Sequence, residues 1–228
     1  MIRALACDID GTITDEQRRL DPEALNMIRQ IEEQGVPVIL ATGNILCVTE
    51  AAKTFIGTTG TVIAENGGVI KTPGESEPRL FCDVKTGEIG LAYEHLKSLL
   101  DVRLTAGSKQ RLTEIAIYRD HPVEEVKKTL AEFNVQIVDT KFAIHIMDPA
   151  VNKGSALLQV ADYMGLNPAD FAAIGDSEND REMLEVAGLG IAVGCGELEN
   201  SADITISAGF SKGGVKALKN ILGRLEKV

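Results

Sequence analysis

Four aspartates fall in two short segments of this chain, Asp8-Ile9-Asp10-Gly11-Thr12 and Gly175-Asp176-Ser177-Glu178-Asn179-Asp180. Each segment follows a short apolar run that reads as a buried strand. Side chains alternate along a strand, so Asp8 and Asp10 share one side. Two carboxylates placed together repel unless a cation or a proton resolves them. A calcium loop fails on spacing, because setting Gly11 at loop position six puts Ala6 at position one and Gln17 at position twelve. A solvated turn stays open for this pair alone. Asp176 and Asp180 can both face a cation if the turn between them curls helically. Alternatively Asp176 or Ser177 caps the next helix while Glu178 and Asp180 favour its dipole. Capping accounts for each acid singly, but not for four aspartates at two strand ends.

Two further segments add groups that suit an anion. Ala41-Thr42-Gly43-Asn44 follows a buried strand and opens a helix, offering a small hydroxyl and free backbone N–H groups. A simple turn would explain it equally well in isolation. Lys153, in Asn152-Lys153-Gly154-Ser155, stands in the first turn of a helix, where it opposes the macrodipole and needs a partner. Otherwise it is an ordinary solvated lysine. Context joins the four segments. In open α/β sheets, ligands bind outside the carboxyl ends of the strands, so acids, hydroxyl, amides and lysine converge on one rim. Oxygen ligands suit a hard cation, and Mg2+ keeps a phosphate oxygen in its shell. The combination reads as a phosphate-handling, Mg2+-dependent site.

The elements that must position these groups are legible in outline. Strand 2–7 leads to a helix that Asp21 caps and Pro22 begins, with apolar positions at Leu25, Ile28 and Ile31 and a stop at Gly35. Strand 36–41 and helix 45–55 follow. Strands 61–64 and 69–71 then flank Glu65-Asn66-Gly67-Gly68, a hairpin signal. After a Pro/Gly/Glu surface turn at 72–78 the pattern changes. Helix 87–100, strand 113–118 and helix 122–133 precede strands 135–139 and 142–147, which the turn at Thr140-Lys141 makes antiparallel. Alternation resumes with helix 153–164, strand 171–174, helix 179–186, strands 190–193 and 204–206 and a helix from about residue 212. The fold class expected is α/β, a Rossmann-like parallel sheet core (1–81 and 153–228) with an inserted α+β cap domain (82–152).

Composition narrows the partners. The chain has 228 residues and a net charge of −11, so the clustered cations that phosphate backbones require are not expected and nucleic acid is excluded. Apolar residues make up 44%, enough for a full core. No apolar run approaches the roughly 18 residues of a membrane span, and the start lacks signal-peptide features, so a cytoplasmic location is expected. The four cysteines form no CxxC pair and the three histidines have no zinc-ligand spacing, so the thiols read as small apolar fillers. His145, inside an apolar strand, reads as a core histidine. Lys109 and Arg111, in a polar stretch of the cap, are the candidate cations for a carboxylate-bearing substrate.

Taken in order, Asp8-Ile9-Asp10-Gly11-Thr12, Thr42-Gly43, Lys153 and Gly175-Asp176…Asp180 resemble the four motifs of the haloacid dehalogenase superfamily of phosphohydrolases. Glu65-Asn66-Gly67-Gly68 resembles a turn of its members with a large α+β cap between the second and third motifs. Overall length and the short cap look most like the archaeal phosphoglycolate phosphatases. The resemblance implies a phosphoric monoester hydrolase with Asp8 as nucleophile, forming an aspartyl phosphate, and Asp10 as general acid and base. It also implies Mg2+ held by Asp8, the Asp10 backbone carbonyl, Asp176 and Asp180. Thr42, Gly43 and Lys153 would bind the phosphoryl group, with Asn179 assisting. The expected partner is a small phosphorylated metabolite, foremost 2-phosphoglycolate, acted on by a monomer or homodimer. A sugar phosphatase, a phosphomutase, a phospho-accepting signalling module and a silent binding protein are the alternatives weighed, and the intact Asp10 argues against the last two.

Overall fold

The computed structural model describes residues 1–226 apart from 83, 85, 86, 141 and 197. Ala-Leu-Ala-Cys, apolar throughout, forms β1 (Ala4–Cys7), buried on both faces. Asp21 accepts from the backbone N–H groups of Glu23 and Ala24 and starts α1 (Pro22–Glu33), whose inward stripe is Ala24, Met27, Ile28 and Ile31. Then come β2 (Val38–Ala41), α2 (Leu46–Ile56), β3 (Val62–Ala64), β4 (Val69–Lys71) and β5 (Arg79–Leu80). The inserted layer contains α3 (Glu88–Leu99), β6 (Ile115–Ile117), α4 (Val123–Thr129), β7 (Gln136–Asp139) and β8 (Ile144–Met147). The chain closes through α5 (Lys153–Met164), β9 (Phe171–Gly175), α6 (Arg181–Val186), β10 (Leu189–Val193), β11 (Ile204–Ile206) and α7 (Phe210–Leu225).

The large sheet has the order β11-β10-β9-β1-β2-β3-β4-β5, parallel from β11 to β3 and antiparallel at β4 and β5. Strand alternation divides its core. Leu5 and Cys7 face α1 and α7, whereas Ala4 and Ala6 face α5 and α6. From β1 the chain steps outward to β2 and β3, then returns to β9 on the other side of β1. The carboxyl ends of β1 and β9 therefore meet at the topological switch point, where a crevice opens. The smaller sheet, β6-β8-β7, is antiparallel. Ile144 and Ile146 of its central strand pack with Ile89, Leu96 and Val126 of α3 and α4, which turns His145 to the opposite face.

The fold is thus the expected parallel core with an inserted α+β layer. Several element limits differ from expectation. The helix expected over 122–133 ends at Thr129, because Leu130 leaves helical geometry and buries its side chain in the small core. The strand expected over 142–147 begins at Ile144, because the N–H groups of Phe142 and Ala143 donate to Thr140 Oγ1 rather than to a neighbouring strand. Lys141, half of the expected Thr140-Lys141 turn, lies outside the described residues. β5, two exposed residues long, is too short to carry a periodic signal. Cys7 is the buried filler expected, but Cys47 and Cys195 are exposed. Among the described residues, no helix is long and apolar enough to cross a membrane.

Candidate active site

Asp8 leaves the end of β1 at the switch point and is buried. Lys153 Nζ donates to Asp8 Oδ1 at 2.7 Å and to Asp180 Oδ1 at 2.6 Å. These are the partners that a lysine in the first turn of α5 needs. The Asn152 side chain accepts from the Ser155 N–H, which starts that helix beside the crevice. Asp180 Oδ2 accepts from the N–H groups of Asp176 and Ser177, so both of its oxygens are engaged. The turn does curl helically, as a 3-10 turn over Glu178–Asp180 that precedes α6. Asp180 is therefore both a capping group and a member of the acidic cluster. Gly11, at φ +92°, gives the chain room here, because a Cβ would land on Asp176 Oδ2.

One carboxylate oxygen each of Asp8, Asp176 and Asp180 lies within 4.8 Å of the others. Three carboxylates against one ammonium leave two negative charges in excess. Oδ2 of Asp8 is buried with no hydrogen-bond partner among the described residues. Burial foremost, and the charges of Asp180 and Asp176 with it, push the Asp8 carboxyl well above its ordinary range, while Lys153 pulls it back. Burial would lower the Lys153 ammonium, but Asp180 and Asp8 hold it above its ordinary value. Buried oxygen donors, excess charge of two and an orphaned carboxylate oxygen fit a hard divalent cation.

Asp10 follows Asp8 by two residues and is held by two nitrogens, one from each of two side chains. Arg18 Nε donates to its Oδ1 at 2.7 Å, and Asn44 Nδ2 donates to its Oδ2 at 2.6 Å. The Arg18 Nη2 group in turn donates to Asn44 Oδ1 at 3.1 Å. Thr42 Oγ1 accepts from the backbone and side-chain N–H groups of Asn44. The segment Thr42-Gly43-Asn44 thus builds the rim at the end of β2, and α2 itself begins two residues later at Leu46.

A cavity of about 360 Å3 connects both layers, lined by Asp8, Asp10, Thr42, Gly43, Asp176 and Asn179 from the core. Arg111, Phe142 and His145 face it from the inserted layer. Lys153 and Asp180 lie beneath this floor. A buried polar chain crosses the junction. Asn179 Nδ2 donates to Asn66 Oδ1, and Asn66 Nδ2 donates to Glu114 Oε2, both at 2.9 Å. Glu114 Oε1 lies 2.8 Å from His145 Nδ1 and also accepts from Arg111 Nη1, which donates to the Gly43 carbonyl at 3.0 Å. Despite its burial, Glu114 is held below its ordinary value by His145 and Arg111. Glu65 accepts from the N–H groups of Leu112 and Thr113 and from the Thr113 hydroxyl. Burial nevertheless pushes the Glu65 carboxyl up.

Residues 5–84 and 91–214 match the haloacid dehalogenase-like hydrolase family. The chain belongs to this family. A Methanothermobacter thermautotrophicus relative named phosphoglycolate phosphatase is 46% identical over 224 residues, covering 97% of this chain and 100% of the relative. Another so named, from Methanococcoides burtonii, is 45% identical and covers 97% of each chain. A crystal structure of a Thermoplasma acidophilum protein shares the fold at a TM-score of 0.88, with 23% identity and full coverage of both chains.

In this haloacid dehalogenase-like hydrolase, the structure brings Asp8, Asp10, Thr42, Gly43, Lys153, Asp176, Asn179 and Asp180 to one crevice. Two cap expectations change. Lys109 is exposed and off the cavity, and Arg111 lines the cavity with its Nη1 bonded to Glu114 and the Gly43 carbonyl and its Nε buried without a partner among the described residues. His145 is buried as expected, but it faces the cavity and pairs with Glu114. Arg18 and Glu114 carry no signal in the motifs, and Asn44 stands in its segment without a role of its own. A lone glutamate in the run Thr113-Glu114-Ile115-Ala116-Ile117 was the available signal for a buried acid needing partners.

Proposed function

We propose that this chain is an Mg2+-dependent phosphatase that hydrolyses 2-phosphoglycolate to glycolate and phosphate in the cytoplasm. The observation that carries the chemistry is the opening of Asp8 and Asp10 onto one cavity, with Lys153 and the acidic cluster beneath it. The name borne by relatives over nearly the whole chain supports the substrate.

In this reading Asp8 attacks phosphorus and becomes an aspartyl phosphate. Asp10 gives a proton to the leaving oxygen and then takes one from the water that hydrolyses the intermediate. Asn44 and Arg18 hold both Asp10 oxygens, so its carboxylate is aimed before substrate arrives. Thr42, Gly43 and Asn179 line the phosphoryl subsite, and Lys153 supplies fixed positive charge against Asp8 as negative charge develops. Asp8, the Asp10 carbonyl and Asp176 would hold Mg2+. Asp180, engaged at both oxygens, stands behind them and acts through Lys153 or a water. Bound Mg2+ would supply charge neutralisation that lets an anionic nucleophile approach an anionic ester. Residues 82–152 form the cap and 1–81 with 153–228 the core. The cap covers the cavity and excludes water.

The test is phosphate release from a panel of small phosphate esters with Mg2+ present. The expected result is the highest kcat/KM on 2-phosphoglycolate. A higher value on a sugar phosphate would move the assignment to that class. Release only in the presence of a bisphosphate activator would indicate a mutase.

A further inference from the structure

Arg18 has no place among the four motifs, yet it touches three parts of the cavity. Its backbone sits at φ +62°, a left-handed conformation unusual for a residue with a side chain. The loop enforces this conformation. Arg18 N–H donates to the Asp15 carbonyl, the Asp15 carboxylate accepts from the Gln17 and Arg19 N–H groups, and Thr14 pairs with Leu20 across the loop. The strain is therefore held by the surrounding turn, as at positions where a side chain must be aimed. The guanidinium bonds Asp10 and Asn44 on its Nε and Nη2 edge and lies 4.7 Å from the centre of the Phe142 ring, which projects from the inserted layer. A guanidinium has five N–H donors. Those on Nη1 have no partner among the described residues. The Arg18 side chain remains 44% exposed, while that of Arg111 is 9% exposed, with Nη1 engaged by Glu114 and the Gly43 carbonyl and Nε buried without a partner among the described residues.

We infer that Arg18 reads the carboxylate of the leaving group. The inference rests on the phosphatase reading above, in which Asp10 protonates the ester oxygen. In 2-phosphoglycolate a single methylene separates that oxygen from the carboxylate carbon. A cation that touches Asp10 is therefore placed to meet the carboxylate of a leaving group protonated by Asp10. The planar guanidinium suits this task, because it can hold two carboxylates on different edges at once. Phe142 covers one face of the guanidinium and limits its hydration, which strengthens the remaining contacts. Among the described cavity-lining arginines, Arg18 has its unpartnered donors exposed, whereas the unpartnered Nε of Arg111 is buried.

The test compares kcat/KM on 2-phosphoglycolate and on ethyl phosphate, which is similar in size but lacks the carboxylate. Wild type, Arg18→Gln, Arg18→Lys and Arg111→Gln are measured with Mg2+. Wild type should prefer 2-phosphoglycolate. Arg18→Gln should lose at least about tenfold of that preference, mainly through KM, as a lost charge-assisted contact requires. Arg18→Lys should keep part of the preference, since a point charge replaces the fork. Arg111→Gln should leave the ratio between the substrates unchanged. Equal losses on both substrates in Arg18→Gln would overturn the inference and leave Arg18 only as a positioning residue for Asp10. Loss of preference in Arg111→Gln alone would overturn it in favour of Arg111. A wild type that hydrolyses ethyl phosphate as well as 2-phosphoglycolate would instead refute the substrate reading on which the inference rests.

Discussion

Asp8 and Asp10 are two residues apart, yet their surroundings divide their work. Asp8 lies buried against an ammonium and two further carboxylates, whereas Asp10 faces the cavity between Arg18 and Asn44. Asp8→Asn should lower kcat by roughly 10⁴-fold or more, because it removes the proposed covalent nucleophile. Asp10→Asn should lower it by roughly 10²–10⁴-fold and let phosphoenzyme accumulate, because the base for its hydrolysis is missing. Steady-state rates and rapid-quench traces on 2-phosphoglycolate check both. A wild-type rate in Asp10→Asn would refute its acid–base role. Lys153 carries a structural burden as well. Lys153→Ala leaves two buried carboxylates without their ammonium, so it should cost about 3–5 kcal/mol of stability in urea denaturation without Mg2+. Activity should fall by roughly 10²–10³-fold on every ester alike. A variant as stable as wild type would contradict this placement of Lys153.

At the scale of elements, the site is assembled by strand ends and joined to the inserted layer by buried polar contacts. Gly67, at φ +109°, brings the turn after β3 against the start of α5, where a Cβ would land on the Asn152 carbonyl. Arg111→Ala should weaken this junction by removing a partner of buried Glu114. We expect a lower unfolding midpoint and similar fold-losses in kcat/KM on all esters, rather than the carboxylate selectivity expected of a substrate-reading cation. Glu114 also gives a pH signature. Its folded value lies below its ordinary 4.5, so it contributes stability above about pH 4.5 that is lost as pH falls through the folded value. Stability of Glu114→Gln should therefore fall less steeply than wild type below pH 4.5, and parallel curves would contradict this. The alternating strands and helices, and the residues at their ends, were legible because buried parallel strands are apolar runs and helix starts carry caps. Loop 14–20 and the polar junction were not. Arg18 acquires its role from a left-handed turn, and Glu114 acquires partners 48 and 31 residues away in Asn66 and His145, which no local pattern records.

For the whole molecule, the proposed metal site at the acidic cluster predicts a link between Mg2+ and stability. A cation bound by the folded chain and not by the unfolded chain raises stability, by about 2.7 kcal/mol at a hundred times its dissociation constant. Mg2+ should therefore raise the unfolding midpoint of wild type, and Asp176→Asn should abolish most of that rise. Chelation should abolish turnover, and Ca2+, which prefers more ligands at longer range, should inhibit. Full turnover in excess chelator would contradict the metal-assisted reading. The central claim is that the phosphoryl group passes through Asp8. The most direct measurement is to mix Asp10→Asn with 2-phosphoglycolate and Mg2+, quench in acid and digest, then map the added mass. The account predicts one phosphoryl group on the peptide containing Asp8, and none when Asp8→Asn is combined with Asp10→Asn. A phosphoryl group on another residue, or its persistence in the double variant, would contradict it.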